Sequence, residues 1–336
     1  MYVLCVGMYR ACSTWQYDVV AHLLEKHRAG RRLGYLTGEQ FAELDDREGD
    51  DGSWKVLKSH EGHGRFAAAL AGGRALAIHA HRDVRDVVFS LMHKRNLDFP
   101  TLVRQGMIHQ VLANDRFWSA RPRMIEQRYD RLIAGPEAGV AELARFLGIE
   151  PDPGEVAEIA AEYSFQANRR RTAELGRRLT ERGVDLGDPS IAQAHDGRTL
   201  LHWNHMREGR VGDWLGRATP DQRRVLARIC GPWLAEHGYE ADDPAGIDPP
   251  RSVAEAARWE LAMARGRLAC GLRRLSLRHP GAARAIKPWL GIAPEAPLAP
   301  PVPVNAAGRR LDEAEAHPSR PRLQVVSLAS KSNAGQ

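Results

Sequence analysis

Three short clusters near the N-terminus carry side chains suited to holding anions and moving a proton. In the first, Arg10, Ser13 and Thr14 follow the apolar run Tyr2 to Val6 and Gly7. The run reads as a short buried strand, and Val19, Val20, Leu23 and Leu24 then recur at helical spacing. Strand, tight loop and helix N-terminus together make an anion site, because the first amides of a helix have no internal partner and its dipole favours negative charge. Arg10 adds a formal positive charge beside two hydroxyls. A phosphate cradle and an ordinary turn with a Ser/Thr cap both fit this stretch alone. A nucleoside-triphosphatase loop does not: it requires Gly-x-x-x-x-Gly-Lys-[Ser/Thr]. With Gly7 in register, Cys12 stands at the second glycine and Ser13 at the lysine.

The second cluster is Lys58-Ser59-His60, closing a strand expected over Trp54 to His60. Lys58 and His60 lie two apart and so point to the same face of a strand. His60 is a candidate general base, since imidazole titrates near neutrality, and Lys58 could hold a charged bridging oxygen. Either can equally be an exposed strand-end side chain. In the third cluster Arg82 follows a strand, and Ser90 lies two turns into a helix capped by Asp83. A guanidinium and a hydroxyl converging on one anion would make a second phosphate site. The alternative is that Arg82, Asp83, Arg85 and Asp86 cap and solvate a helix start.

These clusters need a scaffold that brings them together. Ala75 to His79 and Arg123 to Arg128 read as further strands. Helices are expected over Leu102 to Trp118, Pro136 to Leu147 (stopped by Gly148), Asp152 to Leu186, Thr219 to His237 and Ser252 to Leu275. Arg31 to Gly52 reads as a polar loop with a short helix, its acidic run as solvated surface. Gly187 to His205 is loop-like. Strands alternating with helices imply an α/β fold with a mostly parallel central sheet flanked by helices in three layers. Ligands sit beyond the carboxyl ends of such strands, so the three clusters face one another if their strands are neighbours.

Composition sets the remaining bounds. The 336 residues include 27% charged and 43% hydrophobic, ordinary for a soluble globular chain. A net charge of +6 suits an anionic ligand without demanding nucleic acid. Cys5, Cys12, Cys230 and Cys270 lack metal or disulfide spacing. No apolar run approaches the roughly 18 residues that span a bilayer. With no basic, apolar leader at the start, a cytoplasmic location is expected. Arginine-over-lysine, alanine-rich usage suggests a bacterial source. The expected division is a main domain over 1–243, a helical extension over 244–279 and a disordered Pro/Ala-rich tail over 280–336.

Taken in order, the clusters resemble the sulfotransferases that use 3′-phosphoadenosine 5′-phosphosulfate (PAPS). Tyr9-Arg10-Ala11-Cys12-Ser13-Thr14-Trp15 is similar to their 5′-phosphosulfate loop. Lys58-Ser59-His60 is similar to the element carrying the base, and Arg82 to Ser90 fits the 3′-phosphate element fully. Tyr129-Asp130-Arg131-Leu132, Ser164-Phe165 and Arg207-Glu208-Gly209-Arg210-Val211-Gly212-Asp213-Trp214 echo later elements. The resemblance covers residues 1 to about 240 and implies a P-loop-like fold.

It implies that Arg10, Ala11, Cys12, Ser13 and Thr14 hold the phosphosulfate and that Trp15, Tyr129, Ser164 and Phe165 line the adenine side. Arg82 and Ser90 would hold the 3′-phosphate, with Arg207, Glu208 and Gly209 closing over it. His60 would take the acceptor proton, and Lys58 and Arg10 would stabilise the leaving oxygen. PAPS is then the donor co-substrate, 3′-phosphoadenosine 5′-phosphate (PAP) the product, and no metal is implied. The expected partner is a small-molecule or carbohydrate acceptor with a hydroxyl or amine, not nucleic acid, and a homodimer is a state open to the chain. A small-molecule kinase of the same broad fold and a non-catalytic PAP-binding scaffold are the alternatives. Arg10 stands for the family's lysine, Cys12 for a glycine that the loop needs at positive φ, and Glu208 for a basic residue. Glu61 is expected to orient His60 or to replace it as base. The basic stretch Arg169 to Arg178 reads as an anionic-acceptor contact or a solvated helix face.

Overall fold

The structure is a computed structural model that describes residues 1–48, 51–188, 194–206, 208–240, 242, 247, 249–250, 252–278 and 303–304. In chain order the elements are β1 (Tyr2–Gly7), α1 (Ser13–His27), β2 (Arg31–Tyr35), α2 (Gly38–Glu48), β3 (Lys55–Lys58), α3 (Gly64–Ala71), β4 (Ala75–His81), α4 (Val84–Arg95), α5 (Phe99–Arg104), α6 (Met107–Ser119), β5 (Met124–Arg128), α7 (Tyr129–Ala134), α8 (Pro136–Phe146), α9 (Pro153–Glu162), α10 (Phe165–Glu181), β6 (His195–Asp196), α11 (Pro220–Glu236), α12 (Val253–Arg278) and β7 (Pro303–Val304). A 3-10 turn at Asp213–Gly216 precedes α11.

Five strands form one sheet in the order β2-β3-β1-β4-β5. All neighbours are parallel. Alternation along β1 decides the layers. Val3 and Cys5 face α1 and α8, joined there by Val56, Ile78 and Val140. Tyr2, Leu4 and Val6 face the other layer, where Phe41, Phe66 and Trp118 fill the space. Burial on both faces gives β1 its unbroken apolar run.

The α/β three-layer arrangement expected from the sequence is the one observed. Three local expectations are corrected, one of them the helix over Asp152 to Leu186, which breaks into α9 and α10 where the Ser164 side chain caps the second. Arg31 to Gly52 is not mainly loop: Arg31–Tyr35 forms the edge strand and Gly38–Glu48 a helix, with Leu33, Phe41 and Leu44 buried. Its period was hidden because Arg32 on this edge strand is charged and pairs with buried Asp18 at 2.8 Å. Nor is the acidic run simply solvated, since Asp45 pairs with Arg74, and Glu48 with Arg31 and with Lys55. The last correction concerns Leu102 to Trp118, which breaks into α5 and α6 at Gly106, where φ is +70°.

The cause of that break is α12. A Cβ on Gly106 would lie 2.2 Å from the Gly266 carbonyl oxygen, and one on Gly266 2.2 Å from that of Val103. Ala262 and Met263 of α12 share a buried cluster with Phe99, Leu102 and Trp233. The C-terminal helix is therefore packed into the main body at backbone distance. The expected disordered tail, apart from Pro303–Val304, falls outside the described residues. Among those residues, no helix is long and apolar enough to cross a membrane.

Candidate active site

Register places the three clusters. β1 is central, with Cys5 opposite Lys58 on one side and Gly7 opposite Ala80 on the other. The loop after β1 therefore lies between the ends of β3 and β4. Gly7 must be glycine: φ is +116°, and a Cβ there would sit 2.2 Å from the Ala80 carbonyl oxygen. Beyond it Arg10 and Cys12 both take positive φ (63° and 74°), a conformation that costs an L-residue about 1–2 kcal/mol. Cys12 is the N-cap of α1 and makes no side-chain cap bond, so the Ser/Thr-capped turn is not what forms. The hydroxyls serve elsewhere. Thr14 Oγ1 accepts a 2.5 Å hydrogen bond from Lys58 Nζ. Arg10 Nε donates to Ser90 Oγ at 2.9 Å.

His60 is buried, and its Nδ1 lies 3.1 Å from the Gly7 carbonyl oxygen. A carbonyl can only accept, so the neutral ring carries its proton on Nδ1 and presents a bare Nε2. Glu61 does not orient this ring: its Oε2 accepts from the Gly38 N–H at 3.1 Å, at the start of α2. Burial, then the positive charges of Lys58 and Arg10, pull the His60 pKa down to about 3. Burial and Arg10 pull Lys58 down to about 8.

On the β4 side Asp83 caps α4 through the Arg85 N–H, and Arg82 reaches back to Asp86 Oδ2 at 3.1 Å and to the Arg210 carbonyl at 2.7 Å. Its guanidinium lies 4.0 Å over the Tyr129 ring. Asp86 also accepts from the Gly212 and Trp214 amides, drawing the 208–214 segment onto α4. Tyr129 donates to the Gly209 carbonyl at 3.0 Å. The Phe165 ring covers Gly209 so closely that a Cβ there would meet it at 2.4 Å. Ser164 caps α10 through the Ala167 N–H.

These residues surround one cavity of about 590 Å³. Of the residues expected at the site, Arg10, Ala11, Cys12, Ser13, Thr14, Trp15, Lys58, His60, Arg82, Ser90, Tyr129, Ser164, Phe165 and Gly209 all line it. Glu208 does not. It turns to Arg210 at 3.2 Å and Arg217 at 3.9 Å, as a carboxylate among guanidinium groups must. Arg207 lies outside the described residues. Arg169 and Arg170 are exposed, while Arg171 pairs with Glu162 and Arg177 and Arg178 with Glu174, as a solvated helix face does.

A second wall of the cavity comes from the stretch that the sequence marks as loop-like, within the Arg169 to His205 region expected to meet the acceptor. Residues 194–206 fold back on themselves, with His195 bridged to His202. The turn is built by Asp196, whose Oδ1 accepts from the amides of Arg198 and Thr199 and from the Thr199 hydroxyl. This strap is tied down by Arg10 donating to the His205 carbonyl and by Lys94 donating to Asn204 Oδ1. His195, His202, His205, Lys94 and Arg95 thereby join the lining. The paired Asp-x-x-Thr turn between histidines was the one available signal.

A nucleotide carrying two anionic ends fits this donor set. Arg82 Nε is a buried donor with no hydrogen-bond partner among the described residues. At the other end Arg10 and Lys58 crowd each other, and Tyr129 and Phe165 offer ring faces between. Among the described residues no cluster of three His, Cys, Asp or Glu side chains is placed to hold a metal ion.

A parallel sheet with a cationic cavity across the ends of its central strands defines an α/β protein whose site suits an anionic ligand. The family model of the sulfotransferase domain matches residues 38–238, more than half the chain, and the chain belongs to that family. The matched span opens at α2, after the Gly7–Trp15 loop. Among solved structures, mouse sulfotransferase SULT7A1 complexed with PAP is similar, at 16% identity and a TM-score of 0.50, over 79% of this chain and 88% of that one. Retinol dehydratase in a complex with retinol and PAP is also similar, at 16% identity and a TM-score of 0.51, over 72% and 83%. At such identities the likeness speaks for the fold. A search of curated protein sequences returns no match.

Proposed function

We propose that the chain transfers a sulfuryl group from PAPS to an acceptor hydroxyl, with His60 as general base. The observation that carries this reading is His60 Nδ1 on the Gly7 carbonyl, which fixes a bare Nε2 in the cavity that also holds Arg10, Lys58 and Arg82. PAPS supplies the activated sulfuryl group. A bond forms between the acceptor oxygen and sulfur, and the bridging S–O bond breaks. The acceptor proton goes to His60 Nε2, and the electron pair of the broken bond leaves on the phosphate oxygen of PAP. Lys58, steered by Thr14, and Arg10, steered by Ser90, supply positive charge where that oxygen departs. Arg82 and Ser90 anchor the 3′-phosphate, while Tyr129, Phe165 and Trp15 face the adenine.

A pKa near 3 keeps His60 neutral, the form able to accept a proton, but makes it a weak base in the ligand-free protein. Donor binding brings negative charge beside Lys58 and Arg10 and so raises His60 toward useful basicity.

The test is thermal protection and turnover together. PAP should protect the protein far more than AMP does, because only PAP engages Arg82 through a 3′-phosphate. Equal protection by the two ends the donor assignment. His60→Ala should retain PAP binding within about threefold and lose about 10²–10⁴-fold in labelled sulfate transfer. Retained turnover would remove His60 from the mechanism.

A further inference from the structure

The C-terminal helix α12 is packed on one side. Ala262, Met263 and Cys270 are buried against the body, and Gly266 meets Val103 at backbone distance. At 3.6 residues per turn Leu261 and Leu268 stand on the opposite side. They are 71% and 56% exposed. Ala254, Ala257 and Ala264 are exposed along the same line, so apolar side chains recur every three to four residues from 254 to 268. A single exposed leucine on a protein surface is ordinary, whereas a continuous apolar stripe marks a contact.

The stripe is edged by arginine. Helical spacing sets Arg258 and Arg265 along one edge and Arg267 and Arg274 along the other, and all four are exposed. Among the described residues none of the four is paired with a carboxylate. Glu260 is the acid of this helix nearest the stripe, and Arg228 of α11 engages it. Glu255 lies in the first turn, well round the helix from Leu261.

These edges decide what the stripe can meet. A second copy docked through this face would set arginine edge against arginine edge, whether the two helices ran parallel or antiparallel. The complement is a negatively charged surface with apolar material beneath it. A helix on the outside of a folded body makes a ridge, and a deformable bilayer receives a ridge without a matching groove. At 26 residues α12 has the length of helices that lie in the plane of a bilayer. Leucine side chains can enter the acyl boundary while the arginines, on long stems, stay level with the phosphates and pair with them.

We propose that α12 docks the protein on the surface of an anionic lipid bilayer, with Leu261 and Leu268 inserted and Arg258, Arg265, Arg267 and Arg274 on the lipid phosphates. The helix lies in the interface and does not cross it. No described residue of α12 lines the cavity, and the proposal does not depend on the reaction proposed above.

The experiment sediments the full chain with vesicles of phosphatidylglycerol and phosphatidylcholine in equal parts, and with vesicles of phosphatidylcholine alone. Binding to the anionic vesicles should be about tenfold or more the tighter and should fall steeply with salt. Arg258→Glu with Arg265→Glu should weaken it about tenfold or more, because each arginine near such a surface contributes about fivefold. Leu261→Asp with Leu268→Asp should also remove binding, with Tm within about 3 °C of wild type because both side chains are exposed. The same change of charge on exposed α10, Arg169→Glu with Arg170→Glu, should leave binding within about twofold, since charges away from the contact are screened. The proposal is overturned if anionic vesicles are not preferred, if binding survives the α12 changes, or if the α10 changes weaken it equally. Sedimentation equilibrium without lipid tests the other occupant. A dimer that Leu268→Asp dissolves would assign the stripe to a second copy and overturn the bilayer.

Discussion

The two walls of the cavity are made in different ways. The first is set by the sheet: Gly7, Lys58 and His81 end three adjacent parallel strands, so backbone hydrogen bonding fixes where Arg10, His60 and Arg82 stand. The second is the 194–206 strap, which is held to the body by side chains: Leu200 in a buried core cluster, Arg198 on Glu25, and Lys94 donating to Asn204. Removing a side chain from the first wall leaves its neighbours in register. Removing one from the second takes away one of the ties that hold the segment itself. In the proposed reading the donor meets the wall set by the sheet and the acceptor the wall held by side chains, the division of labour expected where one ligand is constant and the other varies.

The largest effect should separate these walls directly. Arg82→Ala deletes a charged hydrogen-bonding group worth roughly 1.5–3 kcal/mol, so PAP affinity should fall about 10–100-fold, with AMP affinity nearly unchanged. Asn204→Ala should leave PAP binding within about threefold while loosening the strap. Isothermal titration with PAP measures both. If Asn204→Ala weakens PAP as much as Arg82→Ala does, the walls are not independent and the contrast fails.

The same contrast explains what could be read in advance. Arg82 to Ser90 was legible because it is local: a cap at Asp83 and a hydroxyl two turns on follow from helix geometry alone. Lys58 and His60 were legible through strand alternation. Lys94 was not, because a lysine in the last turn of α4 looks like an ordinary partner for the helix dipole. Only the fold brings residue 204 to it, 110 positions away. Edge strand β2 was missed because its outward residues are arginines that pair with acids elsewhere in the chain. Glu61 was misassigned to His60 because adjacency in sequence said nothing of Gly38. The split of Leu102 to Trp118 depends on α12, which arrives about 150 residues later.

Proton linkage sharpens the comparison at a finer scale. Lys58 in the ligand-free fold titrates at about 8, below its ordinary value. Between about 8 and the unfolded value near 10.4 the unfolded chain binds a proton that the folded chain does not. Stability therefore gains from Lys58 as pH rises through that window, and its full penalty is present below it. PAP brings negative charge and raises this pKa, so binding at pH 8 should take up about half a proton. Titration in buffers of different ionisation enthalpy measures this uptake. Lys58→Met should abolish it at pH 8, whereas Lys94→Met should reduce uptake chiefly near pH 7. Proton release on binding would contradict the cationic assignment of the whole site.

The smallest expected effect concerns the loop that opens the first wall. Cys12 caps α1 at φ +74° without a side-chain hydrogen bond. Glycine would remove a strain of about 1–2 kcal/mol but lose roughly 0.5–1 kcal/mol through the freer unfolded chain. Cys12→Gly should thus raise Tm by about 1–3 °C. The helix amides that face the anion are unchanged by this substitution, so PAP affinity should stay within about twofold. A fall in Tm would mean that the Cys12 side chain contributes packing that outweighs its backbone strain. A large change in PAP affinity would mean that the loop is shaped by that side chain and not by strand register. The first wall would then be adjustable at the one place where rigidity matters most.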